Sequence, residues 1–253
     1  GNGGTENEAG VANVDIQADD IDRLTNFAQL NEIDLTIVGP EIPLVEGITD
    51  RFESLNLNCF GPSKEAAQLE GSKEFMKGFL TRHKIPTAIY ESFTDLETAL
   101  EYLKKSSIPI VIKADGLAAG KGVTVAQSYD EAEKAIRACL EDNTFGEAGN
   151  KVVVEEFLEG EEASFIVLTD GNTILPLASS QDHKTRDNED KGPNTGGMGA
   201  YSPAPVVTNQ IHEKIMHEVI TPTIEGLSKE GINYCGFLYA GLMIDNQQNI
   251  KVL

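Results

Sequence analysis

Residues 113–122, Lys-Ala-Asp-Gly-Leu-Ala-Ala-Gly-Lys-Gly, place two lysines and three glycines within ten positions. Glycine lets backbone N–H groups come close to an anion, and lysine neutralises phosphate charge. Lys113, Gly116, Gly120, Lys121 and Gly122 are therefore candidate phosphate-binding residues. The spacing is not that of a phosphate loop that opens a helix. Three residues, not four, separate Gly116 from Gly120, and Gly122 stands where Ser or Thr would follow the lysine. The flanking runs, 108–112 and 123–126, are rich in β-branched residues, so the loop joins two strands. That geometry suits a flap lying over a triphosphate.

Two further segments carry chemistry. In Glu155-Glu156-Phe157-Leu158 a strand runs out into a short linker. Its backbone can hydrogen-bond an adenine ring, an apolar side chain can stack on that ring, and a nearby carboxylate, with Glu161 and Glu162 at hand, can accept from ribose hydroxyls. The third segment, 180–203, contains Asp182 and three basic residues, His183, Lys184 and Arg186, within a very acidic chain. Asn194, Thr195, Gly196, Gly197 and Met198 follow, offering donors and open backbone. A polar loop of this length in a compact domain is usually functional, and this one reads as the wall that holds an anionic or amino substrate.

The elements that must position these residues follow from periodicity. Ile21, Leu24, Phe27 and Ala28 recur at helical spacing, and 34–38 reads as a buried strand ending at Gly39-Pro40-Glu41. A second strand, 57–60, ends at Gly61-Pro62-Ser63. Alternating strands and helices imply a parallel sheet whose ligands sit at the carboxyl ends of its strands, which makes Glu41 and Ser63 candidate contacts. A helix starting near Ser72 presents Phe75, Met76, Phe79 and Leu80, and Pro86 ends it. Another, near 96–103, precedes the flap. A third begins at Ser128, which with Glu131 forms a capping box. Hairpins are expected over 165–177 and from Leu242 onward, and a helix over 211–227 is kinked or split by Pro222.

Composition bounds the function. With 253 residues, 40% hydrophobic and 24% charged, the chain is long enough for two domains and a sizeable buried core. No apolar run reaches the roughly 20 residues of a membrane span, and no signal segment is visible. A net charge of −21 disfavours nucleic-acid binding. Cys59, Cys139 and Cys235 are far apart in sequence, form no disulfide framework or metal-ligand pattern, and fit a reducing cytoplasm. The chain opens on Gly1 and closes inside an apolar run, 250–253, so it reads as a fragment.

Taken together, KADGLAAGKGV (113–123), EEFLEGEEASF (155–165), SQDHK (180–184) and GPNTGGMGAYSP (192–203) closely resemble the phosphoribosylamine–glycine ligase family of ATP-grasp enzymes. Val38–Glu41, Gly61–Ser63, Gln68–Lys73 and Gly236–Met243 match as well, so the resemblance covers essentially the whole chain. It implies a fold of mixed α/β and α+β class: a partial parallel-sheet N-terminal domain (1–72), a connecting helix (73–88), an ATP-grasp lid subdomain (89–158) and an incomplete central subdomain (159–253). It implies ligation of glycine to 5-phosphoribosylamine with ATP and Mg2+ or Mn2+ in purine synthesis. It also implies roles. Lys73, Lys113 and Lys121 hold phosphates, and Glu155, Glu156, Phe157 and Leu158 frame adenine. Glu162 takes the ribose. Asp182, His183, Lys184 and 194–198 line the glycine and phosphoribosylamine site, and Glu41 contacts the phosphoribosyl group. The family's metal-binding Glu and Asn are expected just beyond Leu253, and Thr185 stands where the family usually has Arg. The alternatives are a catalytically incomplete ATP-binding fragment and a sibling ATP-grasp ribonucleotide ligase, against which the 181–202 loop argues.

Overall fold

A computed structural model of the chain describes residues 4–117, 122–142, 144–188, 191–195 and 197–253. Helix α1 (Ile21–Leu30) starts where the Asp20 carboxylate accepts the Arg23 N–H at 3.1 Å. It is followed by β1 (Thr36–Ile37), α2 (Glu41–Glu46), α3 (Ile48–Ser54), β2 (Cys59–Phe60) and α4 (Gln68–Gly71). Strands β1 and β2 are parallel, with Thr36 opposite Cys59 and Ile37 opposite Phe60, as the alternating pattern implied. The strand expected over 34–38 is shorter and less buried than the sequence suggests. Among the described residues β1 pairs on one edge only, which leaves Leu35 and Ile37 52% and 60% exposed. The apolar side chains that do pack here are Ala28, Val38, Ile48 and Phe52.

Helix α5 (Lys73–Arg82) leads into β3 (Tyr90–Phe93), α6 (Leu96–Leu103), β4 (Ile110–Ala114), β5 (Val123–Ala126), α7 (Tyr129–Leu140) and β6 (Val152–Glu156). Among the described residues these strands form an antiparallel sheet in the order β3-β6-β4-β5. The glycine flap thus joins neighbouring antiparallel strands, as expected. Helices α6 and α7 cover one face, burying Ala99, Ile110, Ile112, Ala132, Ile136 and Val154. The Ser128 Oγ accepts the Glu131 N–H, but the Glu131 carboxylate reaches back to the Gln127 N–H at 2.8 Å rather than to that of Ser128. The reciprocal half of the expected box has moved one residue toward the N-terminus. Ser128→Ala should lower stability by about 1 kcal/mol in urea unfolding.

A second antiparallel sheet, again of four strands among the described residues, has the order β14 (Ile250–Val252), β13 (Gly236–Ile244), β7 (Glu161–Thr169), β8 (Ile174–Pro176). It contains β7 (Glu161–Thr169) and β8 (Ile174–Pro176), the first expected hairpin. The 181–200 stretch departs from expectation. It is built from β9 (Gln181–Asp182) paired with β12 (Ala200–Tyr201), and from β10 (Thr185–Asp187) paired with β11 (Lys191–Asn194), all antiparallel. Such short, polar, glycine-containing strands carry no apolar alternation, so their sequence reads as loop. Helix α8 (Asn209–Ile215) continues through a π-helical turn, Met216–Ile220, into α9 (Thr221–Lys229). Pro222 lacks an N–H, and the ladder widens in the turn before it. The chain then forms β13 (Gly236–Ile244) and β14 (Ile250–Val252), the second expected hairpin, with β13 starting six residues earlier than Leu242. The core between this sheet and helices α5, α8 and α9 includes Phe79, Phe165, Ile215, Ile220, Leu227 and Leu242.

Gly236 fixes how β13 meets the N-terminal elements. Its φ is +144°, and a Cβ there would lie 2.8 Å from Pro62 Cδ and 3.1 Å from Gly61 Cα. Only glycine permits that approach.

Candidate active site

The end of β4 is stitched onto the start of α5. The Asp115 carboxylate accepts the Ser72 hydroxyl at 3.2 Å and the Glu74 N–H at 2.7 Å. The Ser72 Oγ in turn accepts the Phe75 N–H at 3.1 Å and caps the helix. The Lys73 ammonium donates to the carbonyls of Asp115 and Gly116 at 3.3 and 3.1 Å. Burial, followed by the nearby Lys113, pushes Lys73 below its ordinary pKa. Lys151 pairs with Glu74 alongside. Asp115 therefore holds two elements in register, and Asp115→Ala should cost about 1–3 kcal/mol in denaturant unfolding by leaving those donors unmet.

Behind this junction lies a buried charge cluster. Lys113 on β4 and Glu155 on β6 share the sheet face turned away from α6 and α7, because Val111 lies opposite Glu155 and Lys113 opposite Val153. Helix α5 covers that face with Lys77, which is fully buried. One carboxylate oxygen, Glu155 Oε2, accepts from Lys77 at 2.8 Å and from Lys113 at 3.1 Å. The other, Oε1, is buried with no partner among the described residues. Lys77 also donates to the Thr87 hydroxyl at 2.8 Å, and that hydroxyl donates to the Val252 carbonyl on β14 at 2.8 Å. Glu155 was expected beside adenine; its side chain points inward to the two lysines.

Glu156, next in sequence, turns the other way. It accepts from the Ile89 N–H at 3.0 Å and from Lys251 on β14 at 2.5 Å. Burial works to raise its carboxyl, but those two donors outweigh it and hold it below the usual range. Phe157 is partly exposed, and with Leu158 it borders a cavity of about 420 Å3 closed by Met243, Asp245 and Lys251 around the β13–β14 turn. That is room for a planar ring against an apolar side chain.

Most of the remaining expected residues lie on the short paired strands β9 to β12, of which β9 packs against β7 of the second sheet. Lys184 pairs with Glu162, and Arg186 pairs with its neighbour Asp187. Burial opposes the Lys184 charge, but the Glu162 hydrogen bond prevails and raises its pKa. The basic cluster read from sequence is thus largely neutralised within the chain. His183 packs on Tyr201 with ring centroids 5.3 Å apart. Asp182 lies beside Gly197, and the Met198 N–H donates to the His183 carbonyl at 2.7 Å. The Thr195 N–H donates to the Lys184 carbonyl, and Asn194 is the β11 partner of Thr185. These contacts bring Asp182, His183, Lys184, Asn194, Thr195, Gly197 and Met198 into one unit. Glu41, the first residue of α2, borders a separate cavity of about 480 Å3 together with Glu70, Tyr234 and Tyr239. Burial, then repulsion from Glu41, raises the Glu70 carboxyl. Ser63 serves its own turn, accepting the Ala66 N–H at 3.2 Å.

The flap glycines differ among themselves. A Cβ on Gly116 would meet Ala148 at 2.9 Å, so glycine is required there for packing, and its N–H points to the Ala148 carbonyl at 3.4 Å. The Gly122 carbonyl accepts the Ala114 N–H and extends the β4–β5 ladder. Gly120, Lys121 and Gly196 lie outside the described residues. Sequence reasoning missed Lys77, Thr87, Asp115 and Lys251. A signal for Lys77 existed: with Lys73 and Leu80 it falls at i, i+4, i+7 on one face of α5.

Two antiparallel sheets joined by a short hinge, with a glycine flap on the first and lysines at its base, define an ATP-grasp fold. A biotin carboxylase from Campylobacter jejuni, solved as its β-γ-ATP complex, superimposes with a TM-score of 0.73 at 19% identity over 92% of this chain and 51% of that one. The chain belongs to the phosphoribosylglycinamide synthetase family, whose N domain matches residues 1–70 and whose ATP-grasp (A) domain matches 71–253. It is 60% identical over all 253 residues to phosphoribosylamine–glycine ligase of Escherichia coli K12 and, equally, to that of Pseudomonas syringae pv. tomato. The chain spans 59% and 58% of the length of those relatives. The crystal structure of the Thermotoga maritima phosphoribosylamine–glycine ligase is 35% identical with a TM-score of 0.74, covering 86% of this chain and 53% of that one.

Proposed function

We propose that the protein carrying this chain joins glycine to 5-phosphoribosylamine, consuming ATP and releasing glycinamide ribonucleotide, ADP and phosphate, as a cytoplasmic step of purine synthesis. The observation that carries the reading is 60% identity, over every residue of the chain, to enzymes of that name. The geometry supports it: in a chain of net charge −21, lysines gather where the flap meets α5.

The division of labour follows. Lys73 and Lys113, with Lys121, Gly120 and Gly122 of the flap, neutralise and cradle the triphosphate. Phe157, Leu158 and the backbone of Glu156 border the adenine, and Glu162 accepts from the ribose hydroxyls once Lys184 turns to substrate. The glycine carboxylate attacks the γ-phosphorus and ADP leaves, giving glycyl phosphate. The phosphoribosylamine nitrogen then attacks the acyl carbon, and phosphate leaves. Asp182, His183, Lys184 and residues 194–198 orient the two acceptors, while Glu41 meets the phosphoribosyl group. In such chemistry positioning and charge neutralisation supply most of the rate. A divalent cation, Mg2+ or Mn2+, commonly accompanies ATP. Among the described residues no group of three or more His, Cys, Asp or Glu side chains forms a metal site, so no step here is assigned to one.

The test incubates the complete protein with ATP, glycine and 5-phosphoribosylamine and measures product by mass spectrometry alongside ADP. Stoichiometric glycinamide ribonucleotide and ADP are expected. ADP released equally without glycine, or with another carboxylate in its place, would overturn the reading.

A further inference from the structure

We infer that Lys77 is a positioning residue that shares the charge of Glu155 and thereby frees Lys113 to engage the ATP phosphates. The inference rests on the ATP-binding reading above. Lys77 itself is fully buried beneath the sheet, so it acts through Glu155.

The geometry is one of two cations competing for one oxygen. Glu155 Oε2 accepts from both ammonium groups, at 2.8 Å from Lys77 and 3.1 Å from Lys113. Lys77 is the better-held partner, since Thr87 fixes its Nζ at 2.8 Å and Thr87 is itself anchored on the Val252 carbonyl. Lys113 is 12% exposed and lies beside the flap base, so it is the one free to reach outward. With Lys77 charged, Glu155 keeps a counter-ion when Lys113 swings to phosphate. With Lys77 absent or neutral, Lys113 is the closest counter-ion left to a buried carboxylate, and pulling it away strands that charge. Phosphate and Glu155 then compete for Lys113.

The charged groups around Lys77, among the described residues, come from two strands: Glu155 and Glu156 of β6 and Lys113 of β4. Glu156 is already satisfied by Lys251 of β14. Lys73, on the same helix, bonds the carbonyls of Asp115 and Gly116 instead. Burial holds the Lys77 ammonium down to about 8, against the Glu155 charge that favours it. Lys77 therefore loses its proton within a range where ATP has already ionised, which gives the inference a pH signature.

The experiment measures binding of ATP and of adenosine to the complete protein by calorimetry at pH about 7 and about 9. It compares the wild type with Lys77→Met and Lys77→Arg and checks folding by near-ultraviolet circular dichroism. The wild type should bind ATP about five- to tenfold more weakly at the higher pH, with adenosine unaffected, because only the phosphate contact is lost. Lys77→Met should bind ATP about tenfold more weakly at the lower pH and show no further fall. Lys77→Arg should keep the affinity and lose the pH step. Should either variant not fold, the wild-type difference between ATP and adenosine still decides: equal pH dependence overturns the inference. Folded Lys77→Met binding ATP as wild type does overturns it and leaves the ligase reading intact. Wild type that binds no ATP at either pH overturns both.

Discussion

Glu155→Leu is expected to destabilise the folded protein by about 3–5 kcal/mol, the cost of leaving a buried cation without its partner. The effect should be large because Lys77 cannot escape to water. It is fully buried, and its remaining partner is the neutral Thr87 hydroxyl. Lys113, near the surface of the site, can solvate itself. The double variant Glu155→Leu with Lys77→Met should therefore recover most of the loss. Urea midpoints of the single and double variants measure both effects. A single-variant loss below about 1 kcal/mol would show the cluster to be solvated rather than buried. The same cluster gives stability a pH slope. The folded-state Lys77 lies at about 8, below the ordinary lysine value of 10.5. Between those values the unfolded chain binds more protons than the folded one, so stability rises with pH across that window. Below pH 8 the full cost of burying the ammonium is present. In Lys77→Met this contribution should vanish, and a slope unchanged from wild type would refute the assignment.

The second large effect concerns turnover. Lys113→Met in the complete protein is expected to lower kcat/KM for ATP by about a hundred- to a thousandfold, the usual consequence of losing one preorganised charge contact to a developing oxyanion. Stability should change by less than about 1 kcal/mol, because Glu155 keeps Lys77 at 2.8 Å. That separation of turnover from stability distinguishes Lys113 from Glu155, although the two side chains touch. Steady-state kinetics with ATP varied and glycine saturating, beside a urea titration, makes the comparison. Turnover within threefold of wild type would remove Lys113 from the phosphate site.

Much of this arrangement was legible in the sequence, for physical reasons. The flap was readable because β-branched runs on both sides of a glycine loop admit only strands, and α7 because Ser128 and Glu131 mark its start. The hinge and the substrate segment were found as motifs, yet their contacts were not. The sequence placed Lys184 and Arg186 in an anionic-substrate wall, but the fold gives them Glu162 and Asp187. Lys77 escaped notice because a lysine within an amphipathic helix ordinarily marks the solvated side. Only a carboxylate brought from β6, far away in sequence, makes its burial tolerable. The only local trace of such long-range compensation is that Lys77 shares a face of α5 with Lys73 and Leu80. The short strands of 181–201 escaped for the opposite reason, being specified by backbone pairing across turns and not by side-chain alternation.

One consequence of the Glu155-Glu156 pair concerns how β6 finds its place. Val152, Val153 and Val154 are all buried, so hydrophobicity alone does not tell the strand which face to turn inward. A one-residue slip would still bury valines on both faces. It would, however, exchange the two carboxylates, taking Glu155 from Lys77 and Lys113 and Glu156 from Lys251. The adjacent acids thus act as an address that names a single alignment. By this logic the segment between β6 and β7 should tolerate changes of residue more readily than changes of length in the strand that precedes it.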